Sequence, residues 1–393
     1  LKFGRNLAKK IGSKPLMTKL RIGILFGGRS GEHDVSLNSA QSILQAIDRD
    51  KYEVVQLGIT RAGRWVGGDN PLLALQSGDQ HAPQVLLSGD PSTRELLQLD
   101  SQSPASVSIQ KLAGLDVVFP VLHGTYGEDG TLQGLLEMAD LAYVGSGVAG
   151  SAVGMDKALF KGQMQAAGIA VLPWQLVLRS QWEEAPLQVL ARLEAHLRYP
   201  MFVKPCNLGS SVGISKAKNR TELQEALHEA AKWDRRLVVE QGINAREIEL
   251  SVLGNDQPIA SLPGEVRPRR EFYDYVAKYV SDDSELIIPA ELSAEQVQHL
   301  QQMAVQAFCA IDAAGLARAD FLLDKDSGEI WVNELNTLPG FTRISMYPKL
   351  WQASGISYPE LIDRLIALAL ERKAERDRTT RVFSQSSESL ANN

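Results

Sequence analysis

A chain of 393 residues, 44% hydrophobic and 22% charged, carries enough apolar sequence for two or three packed cores, more than one ordinary domain holds. Its net charge of −6 supplies no basic field for a phosphate polymer, which removes nucleic acid from the expected partners. No apolar run approaches the roughly 20 residues of a bilayer-spanning helix, so no membrane partner is expected. Cys206 and Cys309 are too few for a disulfide framework, which points to a reducing, cytoplasmic location.

Residues 1–17 are mostly basic, lack an apolar pattern and read as an added or disordered extension. A strand is predicted at 20–26, an amphipathic helix at 36–48 and a strand at 52–59. This βαβ pattern opens a parallel-sheet α/β domain over residues 18–145. Residues 60–113 are irregular and broken by Gly, Pro and Ser, and the sheet resumes at 116–121. Phe26-Gly-Gly-Arg-Ser-Gly-Glu-His-Asp-Val-Ser36 leaves the first strand through glycines and enters the helix, aiming backbone N–H groups at a crevice. Glu32 in that turn either stabilises the helix start or binds a substrate ammonium. His123-Gly-Thr-Tyr-Gly-Glu-Asp-Gly130 places polar side chains on a glycine-rich turn at a strand end, which is a structural turn or a site loop. Gly145-Ser-Gly-Val-Ala-Gly150 matches G-x-G-x-x-G, but no acidic residue follows at the spacing a dinucleotide site needs. No P-loop motif is present.

A central segment is predicted over 146–243, with a helix from about 157 and strands at 201–204 and after 213. Lys204-Pro-Cys-Asn-Leu-Gly-Ser-Ser-Val-Gly213 joins those strands as an ordinary hairpin or as a loop whose N–H and hydroxyl groups, with Lys204, grip phosphate. Glu240 closes a strand at the boundary with a third segment, 244–371, and inter-domain crevices favour nucleotide sites. Phe272-Tyr-Asp-Tyr-Val-Ala-Lys-Tyr279 is dense in aromatics, as core or as a lid that turns Lys278 and Tyr279 to the site. A polar tail is expected over 372–393.

Two runs in the third segment carry most of the chemistry. Residues 316–323 and 330–336 flank Asp324-Lys-Asp-Ser-Gly328 and read as a β-hairpin. With pairing symmetric about Ser327, Asp320 faces Glu334 and Arg318 faces Asn336; strand alternation puts all four on one face. Two carboxylates and an amide suit Mg²⁺, and an arginine suits a developing oxyanion or phosphoryl charge. A solvated polar face is the alternative, and a one-residue slip would change the pairs. Beyond the hairpin, Gly340 offers a backbone N–H to an oxyanion and Ser345 a hydroxyl to a carboxylate. The six histidines show no metal-ligand spacing.

The motifs at 26–36 and 123–130, Met155-Asp-Lys157, Lys204-Pro with Gly209-Ser-Ser-Val-Gly213, and Asn333-Glu-Leu-Asn-Thr-Leu-Pro-Gly340 occur in order. Together they resemble the D-alanine:D-alanine ligases, an ATP-grasp family of peptidoglycan precursor synthesis, over roughly residues 18–372. The resemblance implies an ATP-grasp α/β fold, ATP and D-alanine as substrates, a cytoplasmic homodimer, and two Mg²⁺ ions, for which Mn²⁺ can substitute, on Asp320, Glu334 and Asn336. It implies that Lys157, Lys204, Ser210, Ser211, Lys278, Asn333 and Glu334 serve ATP, that Glu240 and Ile243 sit at the adenine, and that Glu247 holds the ribose. Glu32 and His123 would orient the first D-alanine and Ser345 would take the carboxylate of the second. Glu32, Ser210 and Tyr279 would hold a lid shut, and Arg318 with the Gly340 N–H would stabilise the tetrahedral intermediate. The Ala-Lys-Tyr279 ending favours a dipeptide product over D-alanyl-D-lactate or D-alanyl-D-serine. Another ATP-grasp carboxylate-amine ligase would keep the hairpin but not the Glu32 and His123 loops, and a silent nucleotide-binding regulator would be expected to lack a metal ligand or Arg318.

Overall fold

The computed structural model describes residues 19–79, 81–93, 95–103, 106–210, 212–268 and 284–380. Among them lie three sheets of eight, four and six strands. Strand Leu20–Gly27 runs parallel to Tyr52–Ile59 on one side and to Val117–Pro120 on the other. Its residues are buried on both faces: Ile22, Ile24 and Phe26 enter one core and Leu25 another, which is why it reads as an unbroken apolar run. Residues 60–113, read as irregular, instead extend this sheet with the antiparallel strands Trp65–Val66, Gln84–Leu87, Glu95–Ser103 and Ser106–Gly114. These strands are short or polar, so they lack the apolar alternation that announces a half-buried strand, and of the four only Ser106–Gly114 is an edge.

The four-stranded sheet is antiparallel, in the order Ser215–Ala217, Met201–Pro205, Arg236–Gln241, Trp174–Leu178. Val177, Met201, Val203, Leu237 and Val239 on one face pack with helices Pro186–His196 and Arg220–Trp233. In the six-stranded sheet, Ala245–Gly254 pairs antiparallel with Gly315–Asp324, which pairs with Ile330–Asn336. Helix Ala294–Ala310 covers one face of it through Leu300, Met303, Ala304, Ala307 and Phe308. The opposite face looks into a crevice shared with the four-stranded sheet.

The C-terminal helix, Tyr358–Arg376, leaves the third segment and returns to the first. Leu361, Ile362, Leu365 and Ile366 join Ile22, Ile24 and Phe26 in one core. At its far end Lys373 pairs with Asp140 at 3.2 Å, Arg376 pairs with Glu137, and the Arg372 guanidinium lies 4.1 Å from the Tyr143 ring centre. The polar tail expected from residue 372 therefore starts later, because charged residues that look like tail composition are tied to acidic partners outside the helix. No described helix is long and apolar enough to cross a membrane.

Candidate active site

The crevice is a cavity of about 1200 Å³. Its floor is the hairpin. Asp320 pairs with Glu334 and Arg318 with Asn336, as the symmetric reading requires. Below Asp320 the register shifts by one residue, so Phe321 pairs with Val332 and Asn333 is the extra residue of a β-bulge. Val332 and Leu335 stay in the core while Asn333 and Glu334 between them both line the cavity. The slip that would have spoiled the pairs is confined to the turn side of them, and it adds Asn333 to the site.

Arg318 forms a two-pronged bond with Asp320, 2.7 Å from Nε to Oδ1 and 2.7 Å from Nη2 to Oδ2. Asn336 donates from Nδ2 to Asp320 Oδ2 at 3.0 Å. Burial would lower the Arg318 pKa, but the charges of Asp320 and Glu249 outweigh it and keep the guanidinium protonated. Among the described residues no three His, Cys, Asp or Glu side chains cluster in a metal-holding group. Asp320, Glu334 and Asn336 are nevertheless an all-oxygen donor set lining one cavity, the chemistry a hard cation takes.

Lys204 reaches into the crevice from the adjoining sheet. Its ammonium lies 2.5 Å from Glu240 Oε1 and 3.4 Å from Asn333 Oδ1. The other Glu240 oxygen is 2.8 Å from Lys161, and Glu240 and Lys161 are almost wholly buried. Burial alone would raise the Glu240 carboxyl; Lys161 and then Lys204 reverse that and hold it at about 2. Lys161 was not singled out in the sequence, although it lies four residues after Lys157, one turn along helix Lys157–Ala166. Lys157 donates to the Leu208 carbonyl at 2.7 Å and so props the glycine-serine loop. Ile243 and Glu247 line the same cavity.

At the other end, Glu32 precedes helix His33–Ala46 but makes no side-chain cap to it. Its carboxylate turns to the central segment and accepts a hydrogen bond from the Ser210 hydroxyl, 178 residues away. A Cβ on Gly124 would come within 2.7 Å of Glu32 Oε2 and one on Gly209 within 3.1 Å, so two glycines make room for that carboxylate. Glu128 accepts from the Gly124 N–H at 2.8 Å. Burial, and next the Glu32 charge, push the Glu128 carboxyl up to about 8.

His123 lines the cavity with both ring nitrogens engaged inside the protein: Nδ1 is 2.9 Å from the Leu338 carbonyl and Nε2 is 3.1 Å from Ser39 Oγ. The carbonyl can only accept, so Nδ1 carries the proton, and burial lowers the pKa of the ring and favours that neutral form. His123 thus ties the first domain to the 337–341 loop. Gly340 and Ser345 lie in that loop's continuation, and the Ser345 hydroxyl is 2.7 Å from Thr342 Oγ1 at the start of helix Met346–Ala353. Ser211, Lys278 and Tyr279 fall outside the described residues.

Residues 163–367 match the family model described as D-ala D-ala ligase C-terminus, and residues 21–146 match D-ala D-ala ligase N-terminus. The chain belongs to the D-alanine–D-alanine ligase family. It is 53% identical over 363 residues to the D-alanine–D-alanine ligase of Heliobacterium modesticaldum, covering 92% of this chain and 98% of that one. The enzyme of the same name from Bacillus cytotoxicus is 47% identical over 92% of this chain and 99% of its own length. The solved D-alanine-D-alanine ligase of Coxiella burnetii superposes with a TM-score of 0.79 at 38% identity, covering 92% of this chain and 97% of that one. VanG D-Ala:D-Ser ligase from Enterococcus faecalis gives a TM-score of 0.79 at 35% identity, over 90% of this chain and all of that one. The sheets and crevice are those of an ATP-grasp ligase.

Proposed function

We propose that this protein joins two D-alanines to D-alanyl-D-alanine at the expense of ATP, supplying a peptidoglycan precursor in the cytoplasm. The observation that carries the reading is the shared crevice. Glu32, held by Ser210, and the Arg318–Asp320–Glu334–Asn336 face open onto one cavity, so an amino acid and a nucleotide phosphate can meet there.

A carboxylate is a poor electrophile. One oxygen of the first D-alanine's carboxylate attacks the γ-phosphorus of ATP and ADP departs, leaving an acyl phosphate. The amine of the second D-alanine, in its unprotonated form, attacks the carbonyl of that acyl phosphate, the C–O bond to phosphate breaks, and the nitrogen's proton leaves with the inorganic phosphate. Glu32 takes the first substrate's ammonium, with His123 holding the loop behind it, and the N-terminal end of helix Met346–Ala353 with Ser345 receives the second carboxylate. Arg318 and the Gly340 N–H meet the negative charge that grows on the tetrahedral carbon's oxygen. Lys157, Lys204 and the loop with Ser210 and Ser211 grip phosphates, Glu240 and Ile243 border the adenine, Glu247 holds the ribose, and Asn333 adds a contact. By the family resemblance, Lys278 and Tyr279 take part in keeping water from the acyl phosphate. Asp320, Glu334 and Asn336 would hold Mg²⁺ or Mn²⁺, which when bound neutralises phosphate charge.

Phosphate release from ATP, screened over D- and L-amino acids, tests the assignment. D-alanine alone should support turnover and yield the dipeptide. Turnover only with D-alanine plus D-serine or D-lactate would move the protein to the depsipeptide or D-serine branch, and turnover with L-amino acids would refute the reading.

A further inference from the structure

Glu249 belongs to none of the motifs that announce the site. It lies on strand Ala245–Gly254, directly opposite Asp320, with Ser251 opposite Arg318. Its side chain is 11% exposed and its Oε2 is 3.0 Å from Arg318 Nε. Arg318 is thus held between two carboxylates, Asp320 on its own strand and Glu249 on the next, with Glu334 as the further negative charge near it.

The two seats are not equivalent. Asp320 turns both oxygens to the guanidinium, yet the same residue belongs to the donor set for a hard cation, and one lone pair cannot serve both. Glu249 lies one strand further from the hairpin and is not one of the Asp320–Glu334–Asn336 donors. We propose that Glu249 is a positioning residue for Arg318, holding the guanidinium at the reacting centre when Asp320 turns its oxygens to a metal. The inference rests on the ligase reading of this crevice. In this role Glu249 acts through Arg318. Without it, the arginine leans on Asp320 and competes with the metal for that carboxylate.

The test is a double-mutant cycle on the full chain, read in two ways. Glu249→Gln should lower kcat about 10- to 100-fold while the KM for ATP stays within about twofold, and Arg318→Ala should lower kcat at least about 100-fold. The double variant should be no worse than Arg318→Ala within about twofold, because a residue that acts through another contributes nothing once that other is gone. Without turnover, Mn²⁺ binding in the presence of ADP, followed by the electron paramagnetic resonance of free Mn²⁺, should weaken several-fold in Glu249→Gln. It should not weaken further when the change is made in Arg318→Ala. Multiplying losses in kcat, or equal weakening of Mn²⁺ binding in both backgrounds, would overturn the inference and leave Glu249 as a local charge only. If Glu249→Gln fails to fold, Glu249→Asp replaces it: its shorter carboxylate must lower kcat when Arg318 is present and be silent in the Arg318→Ala background. A wild type that releases no phosphate with D-alanine would instead refute the ligase reading, separately from this cycle.

Discussion

The two ends of the crevice handle buried charge in opposite ways. On the hairpin side carboxylates and cations interleave: Arg318 between Asp320 and Glu249, Glu240 between Lys161 and Lys204. At the first-domain end Glu32 and Glu128 lie close enough for one charge to raise the other's pKa, beside a histidine that burial keeps neutral. A balanced site waits for a ligand that brings its own counter-charges, as a metal nucleotide does. A site rich in carboxylate suits a cation, as the ammonium of an amino acid is. We propose on this difference that the nucleotide phosphates lie toward the hairpin and the first amino acid's ammonium toward Glu32, with the reacting groups meeting between them.

Breaking the hairpin side should have the largest effect. Glu334→Gln removes a ligand charge and should abolish measurable turnover while circular dichroism shows an unchanged fold; near-wild-type turnover at limiting Mg²⁺ would remove Glu334 from the phosphoryl centre. Arg318→Ala should come next, lowering kcat at least about 100-fold with a much smaller change in ATP affinity. Steady-state kinetics beside nucleotide titration separates this from a ground-state role, which would weaken ATP binding and spare kcat.

Lys161→Met takes one cation from a buried carboxylate and should cost on the order of 3 kcal/mol of stability, measured by urea unfolding at neutral pH. The depressed Glu240 pKa contributes stability above its ordinary 4.5, lost as pH falls toward about 2. Removing Lys161 raises that pKa, so the variant's acid unfolding should begin at higher pH than the wild type's. At the opposite end of the crevice the pH dependence has the opposite sign. Glu128 is raised to about 8 from an ordinary 4.5, so its contribution is fully present below 4.5 and lost as pH rises through 8. Glu128→Gln should gain stability relative to wild type between pH 5 and 8.5 in urea unfolding, and a constant difference across that range would remove Glu128 from the charge imbalance.

The hairpin was the most legible part of the chain because its chemistry is local. Strand alternation and one turn put Arg318, Asp320, Glu334 and Asn336 on one face, and that placement holds. The bulge at Asn333 was not legible, since nothing in the sequence says where a strand takes an extra residue. Glu32 was legible as a candidate from its turn, but its bond to Ser210 was expected only through the family resemblance, because it depends on how two domains meet. Lys161 and Glu249 escaped for a related reason: each is one charge on a regular element, and only burial and a partner on another element distinguish it from a solvated one. The antiparallel extension over 60–113 escaped because short or polar strands carry no apolar period. The return of helix Tyr358–Arg376 escaped because its apolar stripe does not name the sheet it covers.

The proposed reaction turns on one event, the activation of a D-alanine carboxylate by phosphoryl transfer within this crevice. D-Alanine labelled with ¹⁸O in both carboxylate oxygens, given to the wild-type protein with ATP and Mg²⁺, tests that event through the mass of the released phosphate. One ¹⁸O per phosphate is predicted, because the oxygen that attacks phosphorus leaves with it when the amine forms the peptide bond. Unlabelled phosphate alongside dipeptide retaining its full label would contradict the account.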